Sequence, residues 1–211
     1  MEILTLCGSP RFGRGAKECS SLYLIQQLKT RLGQGARLQT EPANPPRDLE
    51  ALARALTGAQ ALVLAFPLYA DSIPAGLLQT LSELERRLTG GSELDKIPVY
   101  SIVNCGFFEA AHNQPAIDMI EIWRKKCGFQ PGRSLAVGGG EMIRQAPMGR
   151  GPLTTLSKSL DALAQDILAG KGGETLWAQP DFPRIFYQLA GNLGFRQQAR
   201  KNGLRGRDIS S

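Results

Sequence analysis

Ala61-Leu-Val-Leu-Ala-Phe66, followed at once by Pro67-Leu-Tyr-Ala-Asp-Ser-Ile-Pro74, decides the fold of this 211-residue chain. The first six residues are apolar without alternation. Strands covered on both faces of a parallel sheet read this way, whereas a half-solvated strand alternates. The run is also the longest clean apolar stretch in the chain, far short of the ~20 residues a membrane span needs.

The same grammar extends outward on both sides. Upstream, Glu2–Cys7 reads as a first buried strand. Ser20–Leu32 follows as a helix with Leu22, Ile25, Leu28 and Leu32 on one face and Ser20 or Ser21 as its N-cap. Ala36–Thr40 is a weak second strand, and Asp48–Leu56 a short helix with Gly58 just past its end. Downstream, Pro74–Leu88 is a helix stopped at Gly90-Gly91, and Pro98–Val103 a fourth strand. Pro115–Cys127 is the next helix, Ser134–Val137 the fifth strand, and Leu153–Leu168 a long helix with Leu153, Leu156, Leu160, Leu163 and Ile167 in register.

Strand and helix thus alternate five times. This predicts an α/β fold: a five-stranded parallel sheet in the flavodoxin-like order 2-1-3-4-5, with helices on both faces and right-handed crossovers. The domain is expected over residues 1–170, and residues 171–211 form a C-terminal extension with one helix over Pro183–Lys201.

Composition narrows the class. Apolar residues make up 42% and charged residues 21%, which excludes a disordered, collagenous or coiled-coil chain. Cysteines stand at 7, 19, 105 and 127, with no CxxC pair. Neither a disulfide framework nor a thiolate metal cluster is expected, so no metal is predicted. The start Met1-Glu-Ile-Leu4 lacks the basic n-region of a signal peptide. Reduced thiols in a cytoplasmic protein are the expectation. The net charge is +6, of which residues 181–211 carry +4 through six Lys/Arg against two Asp/Glu. Such a tail suits an anionic surface or ligand, or simply a solvated helix face.

In sheets of this kind ligands bind beyond the carboxyl ends of the strands. Four segments fall there. Gly8–Ser21, after strand one, combines glycines, hydroxyls, cationic side chains and a helix N-terminus, a set that suits a phosphate; it is neither a Walker loop nor GxGxxG. Pro67–Pro74, stiffened by two prolines, presents Tyr69 where a flat ring could lie. Asn104-Cys-Gly-Phe-Phe-Glu109 brings adjacent aromatics and a glycine that lets backbone come close. Gly138-Gly-Gly-Glu-Met142 is the fourth. Each alone is weak; their joint placement carries the weight.

The stretches GSPR at 8–11, FPLYADSIP at 66–74, VNCGFFEAAHN at 103–113 and GGGEM at 138–142, with FPRIFYQLAGNLGFRQQARKNG at 182–203, resemble the flavodoxin-like NAD(P)H-dependent oxidoreductases related to the NADPH-dependent FMN reductases. The resemblance implies a bound FMN, with NAD(P)H as co-substrate. The phosphate would meet Ser9, Arg11, Cys19, Ser20 and Ser21. The ring would lie between Pro67, Leu68, Tyr69, Ala70 and Asp71 on one side and Asn104, Cys105, Gly106, Phe107 and Phe108 on the other, with Gly139 and Gly140 nearby. Two departures from the family stand out: a first loop lengthened by Phe12–Glu18, and Cys19 where a hydroxyl residue is usual.

The function this implies is transfer of hydride from NAD(P)H and onward passage of electrons to a quinone, flavin, nitro compound or metal complex in a ping-pong cycle. No catalytic residue is assigned; His112, the lone histidine, reads as a loop residue rather than a base. The alternatives are a flavodoxin-type electron carrier, and a flavin-free docking protein acting through its basic tail. Expected partners are a small-molecule acceptor and a second copy of the chain rather than nucleic acid. In the tail, Ile185, Phe186, Leu189 and Leu193 follow a helical stripe that Phe195 extends, with Arg184, Arg196, Arg200 and Lys201 around it. Contact with a partner chain or the flavin cleft is the first expectation for it, peripheral contact with an anionic membrane the second, and simple packing back onto its own domain the plain alternative.

Overall fold

The computed structural model describes residues 1–46, 48–88 and 94–204. The Gly90-Gly91 helix stop lies outside the described residues. The elements run β1 (Glu2–Cys7), α1 (Ser20–Leu32), β2 (Arg37–Pro42), α2 (Leu49–Thr57), β3 (Ala61–Pro67), α3 (Ala75–Leu88), β4 (Pro98–Asn104), α4 (Gln114–Cys127), β5 (Gln130–Val137), α5 (Thr154–Ala169), β6 (Leu176–Ala178) and α6 (Arg184–Lys201).

All strand pairings are parallel, in the order β2-β1-β3-β4-β5-β6. The five expected strands take the expected order. The difference is a sixth strand: Leu176–Ala178 pairs with Leu135–Val137. Three residues are too few to show periodicity, and what recruits them is the open edge that β5 would otherwise present. Residues 171–180, read as extension, therefore belong to the sheet's unit, Met1–Pro180, and the second unit starts at Asp181.

β3 runs through the middle of the sheet, and Ala61–Phe66 is buried at every position. Successive side chains point to opposite faces, so each buried strand feeds both layers. Leu4, Leu6, Leu62, Leu64, Phe66 and Val103 pack under α2, α3 and α4 with Leu56, Leu77, Leu84, Ile120 and Trp123. Ile3, Cys7, Val63, Ala65, Ile102 and Leu135 pack under α1 and α5 with Leu24, Leu28, Leu160, Leu163 and Ile167. Edge strand β2 is only half-buried. Local chemistry sets the helix ends. Asp48 caps α2 by accepting from Ala51 N at 3.0 Å, Pro115 stands in the first turn of α4, and Gly128 and Gly170 end α4 and α5 in the left-handed conformation.

The second unit holds α6. At roughly 100° per residue, Ile185, Leu189 and Leu193 align with Arg196 and Arg200, while Phe195 falls about 80° or more away from them, on the other side of Ile185. The apolar stripe thus occupies the first half of the helix and cations continue it; Phe195 does not extend it. Among the described residues, no helix is long and apolar enough to cross a membrane.

Candidate functional site

The carboxyl ends of β1, β3, β4 and β5 lie side by side, so the loops that follow them share one edge of the sheet. Between them is a cavity of about 120 Å³. Ser9 and Arg11 line it from the first loop and Ser20 and Ser21 from the start of α1; Pro67, Leu68 and Tyr69 come from the third-strand loop. Asn104, Cys105 and Gly106 follow β4, and Gly140 follows β5. The walls also include Glu18, Glu141 and Arg144, which sequence reading did not single out. Cys19, Ala70, Asp71, Phe107, Phe108 and Gly139 stand outside the lining.

Hydrogen bonds tie the start of α1 to the loops of two other strands. Ser20 Oγ donates to the Gly140 carbonyl at 3.0 Å, and Arg144 Nε donates to Ser20 Oγ at 3.1 Å. Arg144 also donates through Nη1 to the Lys17 carbonyl. Ser21 Oγ, buried, donates to Asn104 Oδ1 at 2.9 Å. Arg11 N donates to Ser9 Oγ at 3.2 Å. The first-turn amides of any α-helix have no partner within the helix, and the positive end of the dipole adds to them. Three hydroxyls, two guanidinium groups and a helix start therefore converge on one small volume.

The β4 and β5 loops act as one body. Gly139 N donates to Phe107 O at 2.6 Å and Gly140 N to Cys105 O at 2.7 Å, so these two amides are spent inside the protein rather than offered to a ligand. A Cβ on Gly138 would sit 2.1 Å from Phe108 O, and one on Gly140 2.8 Å from Cys105 O. Only glycine permits that approach. A Cβ on Gly106 would meet nothing within 4 Å, so the backbone there faces open space.

The third-strand loop is strained. Tyr69 and Ser72 exchange both backbone hydrogen bonds at 3.0 Å around Ala70 and Asp71, whose φ values are +47° and +55°. Two successive left-handed residues make a type I′ turn, ordinarily a place for Asn-Gly. Strain of this kind gathers at ligand clamps and active sites. The turn holds Tyr69 at the rim of the cavity, 43% exposed.

Phe107 is half-exposed and stacks on His112 with ring centroids 4.3 Å apart. The Cys105 thiol is buried, and desolvation pushes its pKa up, so it stays protonated and packs rather than attacks. Cys19 lies beneath the first loop as the N-cap of α1, accepting from Leu22 N at 3.4 Å.

A larger cavity, about 710 Å³, lies at the other end of the strands beside Met1, Lys29 and Arg37. It brings together no hydroxyl or cation cluster around a helix N-terminus, and the amino ends of parallel strands are not where such folds bind ligands. The small cavity is the candidate site.

No family model and no curated protein matches the chain. Solved structures do. An NADH:FMN oxidoreductase in its apo form superposes with a TM-score of 0.62 at 14% identity, covering 82% of this chain and 91% of the other. An NADPH-quinone reductase from P. pentosaceus gives 0.56 at 18% identity, over 82% of this chain and all of its own. The flavodoxin of Streptococcus pneumonia TIGR4 gives 0.56 at 11% identity, over 81% and 100%. The fold is flavodoxin-like. At these identities the likeness concerns the fold, and the chemistry has to be read from the residues of this chain.

The donor set fits a phosphate monoester: hydroxyls that can rotate toward it, Arg11 and Arg144 beside it, and α1 behind it. Whole-ligand pockets occupy roughly 300–1,000 Å³. The cavity is therefore smaller than a whole-ligand pocket, with Tyr69 exposed at its rim and open space beside Gly106.

Proposed function

We propose that the chain is an FMN-dependent oxidoreductase that takes hydride from NAD(P)H and passes electrons to a small acceptor such as a quinone, a free flavin, a nitro compound or a metal complex. One juxtaposition carries the reading: the hydroxyl and guanidinium cluster at the start of α1 lies beside the strained Tyr69 turn, at the carboxyl edge of a flavodoxin-like sheet. Ser9, Ser20, Ser21, Arg11 and Arg144 would hold the phosphate. The backbones of Pro67–Asp71 and Asn104–Phe108 would bracket the ring, with Leu68 and Tyr69 excluding water from one side. Bound FMN supplies the two-electron chemistry between NAD(P)H and the acceptor. By this reading donor and acceptor use the same open rim in turn, a ping-pong order. No side chain is required as a base in that scheme; His112 is occupied by its stack on Phe107 and lies 3.8 Å from Glu109.

The C-terminal unit, by this reading, meets a second copy of the chain. Removing residues 181–211 is then expected to turn a dimer into a monomer by light scattering, and an unchanged oligomeric state overturns that part.

The deciding test is the visible spectrum of the purified protein, followed by anaerobic stopped-flow mixing with NADPH and with NADH. Two flavin bands that bleach on mixing are expected. A colourless protein that takes up no FMN overturns the reading. A bound flavin that neither nucleotide reduces identifies an electron carrier instead.

A further inference from the structure

Directly under the first loop lies a pair of sulfurs that the proposed reaction does not use. Cys7 ends β1 and Cys19 caps α1, so the two residues bracket the whole of the loop from Gly8 to Glu18. Their Sγ atoms are 4.0 Å apart and both side chains are buried, at 0% and 1% exposure. The loop above them is mostly exposed from Pro10 to Glu18.

The two thiols are not equivalent. They are hydrogen-bonded to each other, and that bond and burial push the Cys7 ionisation up. The same bond is the main cause that lowers the Cys19 pKa to about 6; the Ser9 hydroxyl and the Leu22 and Ser21 amides help, against burial. A helix N-terminus is one of the settings that lower a cysteine's pKa. Cys105 and Cys127, also buried and each raised in pKa by desolvation, serve as internal comparisons.

The geometry points to Cys7 and Cys19 as an oxidation site, at which a hydroperoxide converts the thiol pair into an intramolecular disulfide and so draws the start of α1 away from the anion-binding cluster. In the first step the Cys19 thiolate attacks a peroxide oxygen. The S–O bond forms, the O–O bond breaks, and hydroxide leaves, taking up the Cys7 proton to become water. In the second step the Cys7 sulfur attacks the Cys19 sulfur. The S–S bond forms, the S–O bond breaks, and the departing hydroxide takes a solvent proton to become the second water. Two thiols lose two electrons, and hydrogen peroxide is reduced to water.

A disulfide holds its sulfurs at about 2.05 Å, so the pair must close by roughly half its present separation. Cys19 then gives up its cap on Leu22, and Ser20 and Ser21, its immediate neighbours in the chain, move with it. The effect on ligand affinity rests on the flavin reading above; the disulfide itself does not.

The test uses the full chain, treated with hydrogen peroxide, blocked with an alkylating agent under denaturing conditions and mapped by mass spectrometry. The expected product is a Cys7–Cys19 cross-linked peptide, two hydrogens lighter, lost on treatment with dithiothreitol, with Cys105 and Cys127 alkylated. Four alkylated thiols after peroxide, a Cys19 sulfinate without a cross-link, or a cross-link to Cys105 or Cys127 each overturn the proposal. These readouts use the unaltered protein, so they stand even where Cys7→Ala fails to fold. FMN titration of the reduced and oxidised forms is the second arm. Loss of one hydrogen bond to the charged phosphate predicts about tenfold or greater weakening on oxidation, reversed by dithiothreitol. Equal affinities of the two forms refute the coupling while leaving the disulfide in place. Absence of FMN binding by either form refutes the flavin reading and leaves the cross-link result to decide the oxidation site.

Discussion

Ala70→Gly is expected to stabilise this protein, against the usual direction for an Ala-to-Gly change. Ala70 and Asp71 sit at φ +47° and +55°, locked there by the paired hydrogen bonds between Tyr69 and Ser72. A residue with a Cβ loses roughly 1–2 kcal/mol in the left-handed region because the Cβ crowds the following carbonyl. Glycine removes that loss but adds freedom to the unfolded chain, which costs about 0.5–1 kcal/mol. The difference leaves a net gain of about 0.5–1 kcal/mol. For a chain of this size each kcal/mol moves Tm by about 2–4 °C, so the expected rise is about 1–4 °C. Gly128→Ala supplies the opposite sign. Gly128 has φ +81°, and an added Cβ meets nothing within 4 Å, so its net cost of about 0.5–1 kcal/mol is purely conformational. Urea unfolding of both variants, with unchanged m-values, is the assay. If Ala70→Gly lowers the midpoint while Gly128→Ala also lowers it, the strain assigned to the Tyr69 turn is not there.

Three further outcomes follow from the same geometry. Ser20→Ala and Arg144→Ala should each weaken FMN binding by about tenfold or more in fluorescence titration, since a hydrogen bond to a charged group contributes roughly 1.5–3 kcal/mol; Ser21→Ala should in addition destabilise the fold by about 1–3 kcal/mol, because it leaves the buried Asn104 Oδ1 without its donor, and equal unfolding midpoints for the Ser20 and Ser21 variants would contradict this. Tyr69→Ala should lower NAD(P)H-dependent reduction while leaving the unfolding midpoint almost unchanged, as the ring is 43% exposed at the rim; full activity would place Tyr69 outside the ring pocket. Tyr100 is fully buried, and burial first and the Asp166 carboxylate second push its pKa up to about 12, so its neutral form is favoured by folding. Stability from this group is complete below pH ~10 and is lost as pH climbs from there toward ~12, on the order of 2 kcal/mol; Tyr100→Phe should flatten that alkaline fall in urea titrations, and an unchanged slope would show that Tyr100 is not its source.

The reading of the site from sequence was uneven for physical reasons. Ser9, Ser20, Ser21, Tyr69 and Asn104 were legible because each follows directly on a strand or opens a helix, so locating the element locates the residue. Arg144 was not, since its role depends on a bond to Ser20, 124 residues away in the chain. Gly139 and Gly140 were legible as a tight turn, but their amides turn out to be spent on the β4 loop, a fact of loop-to-loop packing.

By itself, the sequence determined the alternation of the first five strands with their helices and most of the faces they bury. Ala61–Phe66 and the leucines of α5 record burial in a local period, and burial is what that period is selected for. It also determined that glycines, serines and cations follow the strands at one edge. Only the tertiary structure decided that Leu176–Ala178 joins the sheet, that Ala70 and Asp71 are strained, and that Cys7 meets Cys19. Edge pairing, backbone strain and contacts between distant residues follow from where whole elements come to rest, and no period of two or 3.6 residues records that.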